Sequence, residues 1–207
     1  MSQSSDIKSI NRALRDGKTV LLPTETVYGL AVNAQNNKAV DALYALKGRA
    51  FNKPIAISIK SSAAAHTLVQ WSRTAQKLSD LFWPGPLSLV LPAKENLGLD
   101  PRLFGRFPDG TPSLSLRYPE TDWCRQLTTD YLALTSANRS GEPDTTDFTH
   151  ANAQFGDQIG ASYDSGATTH GTPSTIIAVE KERVRLLRAG ALTAEHFAPL
   201  DLDWINS

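Results

Sequence analysis

STIIAVEKERVRLLRAG, residues 174–190, reads as two apolar runs joined by a short charged turn. Ser174–Val179 and Val184–Leu187 carry the aliphatic and β-branched residues of strands, and the gap between them suits a hairpin. A hairpin is antiparallel, so a sheet that contains this pair is expected to be mixed rather than wholly parallel.

The rest of the chain supplies the other elements. Ile7, Ile10 and Leu14, with Ala13 beside them, recur at helical spacing over Asp6–Asp16, where Ser5 or Asp6 can cap the start and Gly17 can stop the helix. Asn37–Gly48 repeats that rhythm through Val40, Leu43, Tyr44 and Leu46, and Ser72–Phe82 repeats it through Ala75, Leu78 and Leu81. Thr121–Thr128 and Thr146–Phe155 also fit helices. Strands are expected at Thr19–Leu22, Pro54–Ile59, Leu87–Leu91, Ser113–Arg117 and Leu132–Ser136. Strands and helices alternate throughout, which predicts one α/β domain around a central mixed sheet, with no linker that would divide it. Residues 94–112 are rich in Gly and Pro without clear periodicity and read as a long functional or mobile loop.

Composition narrows the function. With 41% hydrophobic and 20% charged residues, the chain fits a soluble globular protein. Its 21 basic and 21 acidic residues balance, so anion binding must come from a local cluster rather than from net charge. The N-terminal MSQSSDIKSI lacks a basic segment followed by an apolar run, and no apolar stretch approaches the roughly 20 residues of a membrane span, so a cytoplasmic location without membrane contact is the expectation. Cys124 is the only cysteine, and the four histidines lack metal-ligand spacing, so no protein-built metal site is expected. Asp16–Thr19 imitates the end of a phosphate-binding P-loop but precedes a strand and lacks the upstream glycine.

The more informative residues stand where strands and helices end. LLPTETVYGL, residues 21–30, runs from an apolar strand into Thr24, Glu25 and Thr26 before an aromatic and a glycine. Lys47, Arg49 and Lys53 cluster where a helix gives way to a strand; cations favour helix C-termini in any case, yet Gly48 and Pro54 could hold two of them as a fork for phosphate oxygens. Ser136 and Asn138 sit in a run of hydroxyl and amide residues leaving a strand, which is also the composition of an ordinary Asx turn. SLSLR, residues 113–117, alternates polar and apolar and ends in Arg117, able to clamp a carboxylate or to form a surface ion pair. Ser174 opens one strand of the hairpin and Arg188 closes the other. Ligands of open α/β sheets bind in a crevice at strand ends, and that is where these donors are expected to meet. The inventory holds many anion donors but no nucleophile–base pair, which suits phosphoryl chemistry by positioning and charge neutralisation.

Taken in order, PTETVYGL, KGR with KPI, WPGPLSLVLP, SLRYP, TSANRSG, PSTI and LLRAG resemble the YrdC-like family of threonylcarbamoyl-AMP synthases, of the TsaC type, over about residues 21–190. The resemblance implies a single domain, expected here over 1–207, with a twisted mixed sheet and flanking helices around a concave cavity. Longer relatives carry an added C-terminal domain, which this chain is expected to lack. It implies a nucleotidyl transfer in which L-threonine, bicarbonate or CO2, and ATP give threonylcarbamoyl-AMP, pyrophosphate and water, with Mg²⁺ offsetting the charge. The product would feed a downstream complex that modifies the adenosine next to the anticodon of tRNA. By motif, Lys47, Arg49, Ser136 and Asn138 would hold the nucleotide and intermediate, with Lys53, Ser113, Ser174 and Arg188 at further ATP-binding positions. Thr26 and Arg117 would contact threonine. Ser58 stands where some relatives carry a histidine near threonine, and Arg139 replaces a commonly apolar residue. Two other readings stay open: a non-catalytic RNA-binding or ribosome-maturation relative that uses the same basic cavity, and a related transfer onto another amine such as serine.

Overall fold

The computed structural model describes residues 5–205, so residues 1–4 (MSQS) and 206–207 of the expected 1–207 domain lie outside the described residues. The chain runs α1 (Ile7–Arg15), β1 (Val20–Pro23), β2 (Tyr28–Asn33), α2 (Asn37–Lys47), β3 (Ala56–Ile59), α3 (Ser62–Leu68), α4 (Arg73–Phe82), β4 (Leu87–Pro92) and β5 (Phe104–Arg106). It continues through β6 (Pro112–Arg117), α5 (Asp122–Gln126), β7 (Tyr131–Ser136), α6 (Phe148–Phe155), β8 (Ala161–Ser162), β9 (Thr175–Glu180), β10 (Arg183–Arg188), α7 (Ala194–Phe197) and β11 (Asp203–Trp204).

The strands form one sheet in the order β11-β10-β9-β4-β6-β3-β7-β2-β1-β8, with β5 added beside β6. The hairpin expected at residues 174–190 is β9–β10, antiparallel with Val179 opposite Val184. Because β3–β6 and β4–β9 are parallel while β4–β6 and β3–β7 are antiparallel, the sheet is mixed. This is the mixed α/β domain expected from the sequence.

Side chains alternate across a strand, so each face of this sheet has its own composition. One face carries Leu21, Leu30, Ile57, Leu89, Leu116 and Ile177, packed under Leu43 of α2, Leu68 of α3, Leu78 of α4 and Phe155 of α6 in one large core. The other face is covered only at one side, where Ile10 and Leu14 of α1 and Trp123 of α5 pack on Val20, Leu22, Leu132 and Leu134. Beyond that smaller core the second face is hollow.

Local signals explain the helix ends. Of the two possible caps of α1, Asp6 is used: its carboxylate accepts from the Ser9 amide at 2.8 Å, and Gly17 follows at φ +72°. Gly48 ends α2 at φ +62° in the left-handed region, which turns the chain back so that the Arg49 amide donates to Tyr44 O. Two expectations needed changing. Residues 94–112 are not a bare loop: a 3₁₀ turn at Pro101–Leu103 leads into β5, which pairs with the start of β6. No strand is expected after PTET, yet Tyr28–Asn33 form the buried strand β2 between β1 and β7.

Candidate active site

A cavity of about 370 Å³ fills the hollow face. Ala56 and Ser58 of β3, Ser88 and Val90 of β4, Ser113, Ser115 and Arg117 of β6, and Leu134 and Ser136 of β7 border it. These are alternate residues of four strands adjacent in the sheet. The site therefore lies on a face of the sheet and takes in the strand-end residues Arg117, Ser136 and Arg188. The physical reason is the missing cover: helices pack only one side of this second face, so its remaining polar residues line a concavity instead of a core.

Register aligns the key groups. Ser58 lies opposite Arg117, Arg117 opposite Ser88, Ser88 opposite Ile176, and Ile176 opposite Arg188. One row across five strands thus carries Ser58, Arg117 and Arg188 on the same side. Three strand spacings separate the two arginines, roughly 14 Å between backbones. The pairing of β9 with β10 shifts between Leu186 and Arg188, and this irregularity lets the consecutive Leu187 and Arg188 both border the cavity. Gly190 closes that wall, because a Cβ there would overlap the Pro173 carbonyl oxygen and the Ser174–Thr175 backbone.

The expected nucleotide-binding residues divide into those that face the cavity and those that support it. Arg49, Ser113, Ser136, Ser174 and Arg188 border it. Arg49 is aimed by two backbone carbonyls, its Nε donating to Lys53 O at 2.8 Å and its Nη2 to Pro54 O at 3.0 Å. Arg188 folds over Ser174, donating from Nε and Nη2 to Ser174 O at 3.0 and 2.8 Å and from Nη2 to Ser174 Oγ at 3.0 Å. Among the described residues, neither Arg49 nor Arg188 has a carboxylate at ion-pair distance. Burial lowers the Arg49 guanidinium from its usual range.

Lys47 and Asn138 stand behind the wall rather than in it. Lys47 is 3% exposed, and its ammonium donates to Ser136 O at 2.6 Å, Asn138 Oδ1 at 2.7 Å, Asn138 O at 3.0 Å and Ser136 Oγ at 3.2 Å. Ser136 Oγ in turn donates to Asn138 Oδ1 at 2.6 Å. The end of α2 is thereby tied to the end of β7, and three of the four residues grouped by motif form one hydrogen-bonded knot. Burial, and after it the charge of Arg49, brings Lys47 down to about 8.

Two expectations are corrected here. Lys53 is exposed and does not border the cavity; what it contributes is the backbone carbonyl that aims Arg49. Thr26 is wholly buried and also does not border the cavity, because its turn closes on itself and points the side chain at Arg117. Thr24, Val27, Tyr28 and Gly29 from that turn do border it. Gly29 is needed where β2 meets β7, since a Cβ there would come within 2.7 Å of Leu134 Cδ1 and 3.1 Å of Thr135 O.

Arg117, 8% exposed, pairs with Glu25 through Nη2 at 2.7 Å and also donates to Thr26 Oγ1 at 2.8 Å. Its Nε has no hydrogen-bond partner, and neither do Ser58 Oγ and Ser115 Oγ, although all three atoms are buried. Buried polar atoms are nearly always paired, so three unpaired ones around the same few residues mark a place built for a polar ligand. Ser88 and Ser115 were not singled out in the sequence; their alternation with leucines in LSLV and SLSL was the available signal. No three His, Cys, Asp or Glu side chains among the described residues stand together as a cation cage, so a Mg²⁺ here would draw most of its oxygens from nucleotide phosphates and water. Cys124 is packing: burial pushes its thiol up to about 11, and Sγ donates to Ile59 O.

A model of the Sua5/YciO/YrdC family, described as telomere recombination, matches residues 12–190. The chain belongs to this family. A Pyrococcus abyssi member named threonylcarbamoyl-AMP synthase is 36% identical over 186 residues, which cover 88% of this chain and 53% of that protein. A Mycobacterium leprae member is 33% identical over 195 residues, covering 93% of this chain and 86% of it. The crystal structure of P. abyssi Sua5 complexed with L-threonine superposes with a TM-score of 0.85 at 33% identity, covering 96% of this chain and 58% of that one. The chain thus spans about half the length of the P. abyssi protein. Among the described residues of this Sua5/YciO/YrdC domain, no helix is long and apolar enough to cross a membrane.

Proposed function

We propose that this domain makes threonylcarbamoyl-AMP from L-threonine, bicarbonate or CO2, and ATP, releasing pyrophosphate and water. The observation that carries the reading is one concave face bordered by three arginines, one ion-paired and two not. Among the described residues Arg49 and Arg188 have no carboxylate at ion-pair distance, although the charge of Asp144 acts on Arg188, and such free donors suit a polyphosphate. Arg117 is already offset by Glu25 and keeps an unpaired Nε beside Ser58 and Ser115, which suits a single carboxylate. The P. abyssi relatives, one named for this activity and one crystallised with L-threonine, support the same assignment.

In this reading the threonine carboxylate rests on Arg117 with Ser58 close by, and the nucleotide lies along Ser113, Ser136, Ser174, Arg49 and Arg188. Bicarbonate gives up water as CO2, the neutral threonine amine adds to it and sheds a proton to solvent to form a carbamate, a carbamate oxygen attacks the α-phosphorus, and the bond to pyrophosphate breaks. Both reactants are anions, so bringing them together is the main barrier the protein must lower. Arg49 and Arg188 act on the developing phosphate charge; Lys47 and Asn138 act through the Ser136 turn that they hold. No step is assigned to Mg²⁺, which would enter with the triphosphate. The product would pass to a tRNA-modifying partner.

Pyrophosphate release from purified protein tests the assignment. It is expected only when ATP, threonine and bicarbonate are all present, and serine should replace threonine poorly. Release without threonine would reject the amino-acid substrate. No release under any condition, together with tight RNA binding that weakens steeply with salt, would favour the RNA-binding alternative instead.

A further inference from the structure

Glu25 is the buried acid at the centre of PTET, and the reaction outlined above gives it no direct contact with a substrate. It is 8% exposed and held on three sides. Its Oε1 accepts from Arg117 Nη2 at 2.7 Å, its Oε2 from the Glu120 amide at 3.2 Å, and its carbonyl from the His170 amide at 2.8 Å.

The neighbouring hydroxyls have a fixed direction. Thr24 Oγ1 donates its single proton to Val27 O at 2.6 Å, so the 2.8 Å contact between Thr24 and Thr26 must be donated by Thr26. Thr26 Oγ1 is then left as an acceptor, and it takes the hydrogen bond from Arg117 Nη2 at 2.8 Å. One nitrogen of Arg117 is therefore bound by two acceptors of the same turn, while its Nε has none.

We propose that Glu25 is a positioning residue which, with Thr26, takes up both protons of Arg117 Nη2, fixes the plane of the guanidinium and leaves Nε–H as the donor for an oxygen of the amino-acid substrate's carboxylate. The Glu25 carboxylate offsets the charge of Arg117, so a polyphosphate is steered toward Arg49 and Arg188, which have no carboxylate at ion-pair distance among the described residues. This inference rests on the role for Arg117 given under the proposed function. It explains why a threonine-rich turn carries an acid at a site otherwise furnished with anion donors.

Glu25→Gln tests it because a carboxamide offers one acceptor and one donor in place of two acceptors. Either Arg117 or the Glu120 amide must then face an N–H. The variant is expected to raise KM for threonine by at least about tenfold, with KM for ATP changed by less than about twofold. Thr26→Val, which keeps the shape but loses the acceptor, should raise KM for threonine in the same selective way, and Thr26→Ser should restore it. A second readout needs no turnover: the Nε–H resonance of Arg117, identified by its loss in Arg117→Lys, should be sharp in the wild type and broadened in Glu25→Gln and Thr26→Val. KM values for both substrates that rise together, or a resonance unchanged in both variants, would overturn the positioning role. Should the wild type show no threonine-dependent turnover, the substrate assignment falls, and the Arg117 resonance alone decides for or against Glu25.

Discussion

Arg49→Ala is expected to lower kcat/KM for pyrophosphate release by about three orders of magnitude while leaving the protein folded. The size follows from how Arg49 is held. Its guanidinium is aimed by the Lys53 and Pro54 carbonyls before any ligand arrives, and no carboxylate among the described residues lies at ion-pair distance to blunt its charge. A preorganised donor of this kind acts on charge as it develops and has no reorganisation left to undergo, so its loss falls on the chemical step. The stability effect is small because the two lost hydrogen bonds belong to a loop at the cavity edge. Arg49→Lys should recover little, since a single ammonium cannot reproduce a fork fixed by two carbonyls. Steady-state rates with a thermal melt check the prediction; a loss below about tenfold would remove Arg49 from the phosphate-binding residues.

Lys47→Met should lose turnover to a similar extent, but for a different reason and with a different signature. The ammonium joins α2 to the Ser136–Asn138 turn through four acceptors, and a thioether withdraws its donor from the Ser136 and Asn138 carbonyls while Ser136 Oγ and Asn138 Oδ1 keep only each other; each buried acceptor left unpaired costs about 1–3 kcal/mol. This variant, unlike Arg49→Ala, should unfold at lower denaturant concentration. In the wild type, deprotonation of Lys47 near pH 8 removes the charge that holds the turn, so kcat/KM should decline as pH rises through about 8. Stability moves the other way. Between about 8 and the ordinary 10.5, the unfolded chain keeps a proton that folded Lys47 has released, so the wild type gains stability relative to Lys47→Met across that window. A flat rate profile through that range, or equal denaturant midpoints for the two proteins, would contradict the knot.

Much of this arrangement was legible in the sequence, and what escaped has physical causes. The hairpin at 174–190 and the helices ending at Lys47 and Phe82 gave strong period-two or helical signals, and all three formed. Helix α3, SAAAHTL, is not marked in the sequence because only Ala65 and Leu68 of it are buried, too few to make a hydrophobic stripe. Strand β2 was missed because Tyr-Gly after a polar turn resembles the end of a loop, whereas Gly29 is there for its close approach to β7. Arg117 does end β6, and the alternation of Ser113, Ser115 and Arg117 with leucines also describes a polar sheet face, so the site takes in that face as well as strand ends. Which hydroxyl faces a ligand and which braces a neighbour depends on turn closure, so Thr24 and Thr26, two residues apart, could not be told apart by spacing. The same holds for Lys47, whose burial depends on a β7 turn far along the chain.

The most direct test of the central claim is a crystal structure of the protein with L-threonine and a non-hydrolysable ATP analogue. The account predicts both ligands in the single cavity on the sheet face, with the threonine carboxylate on Arg117 Nε and the phosphates between Arg49 and Arg188. Threonine seated at Arg49 and Arg188, or nucleotide bound outside that face, would contradict it.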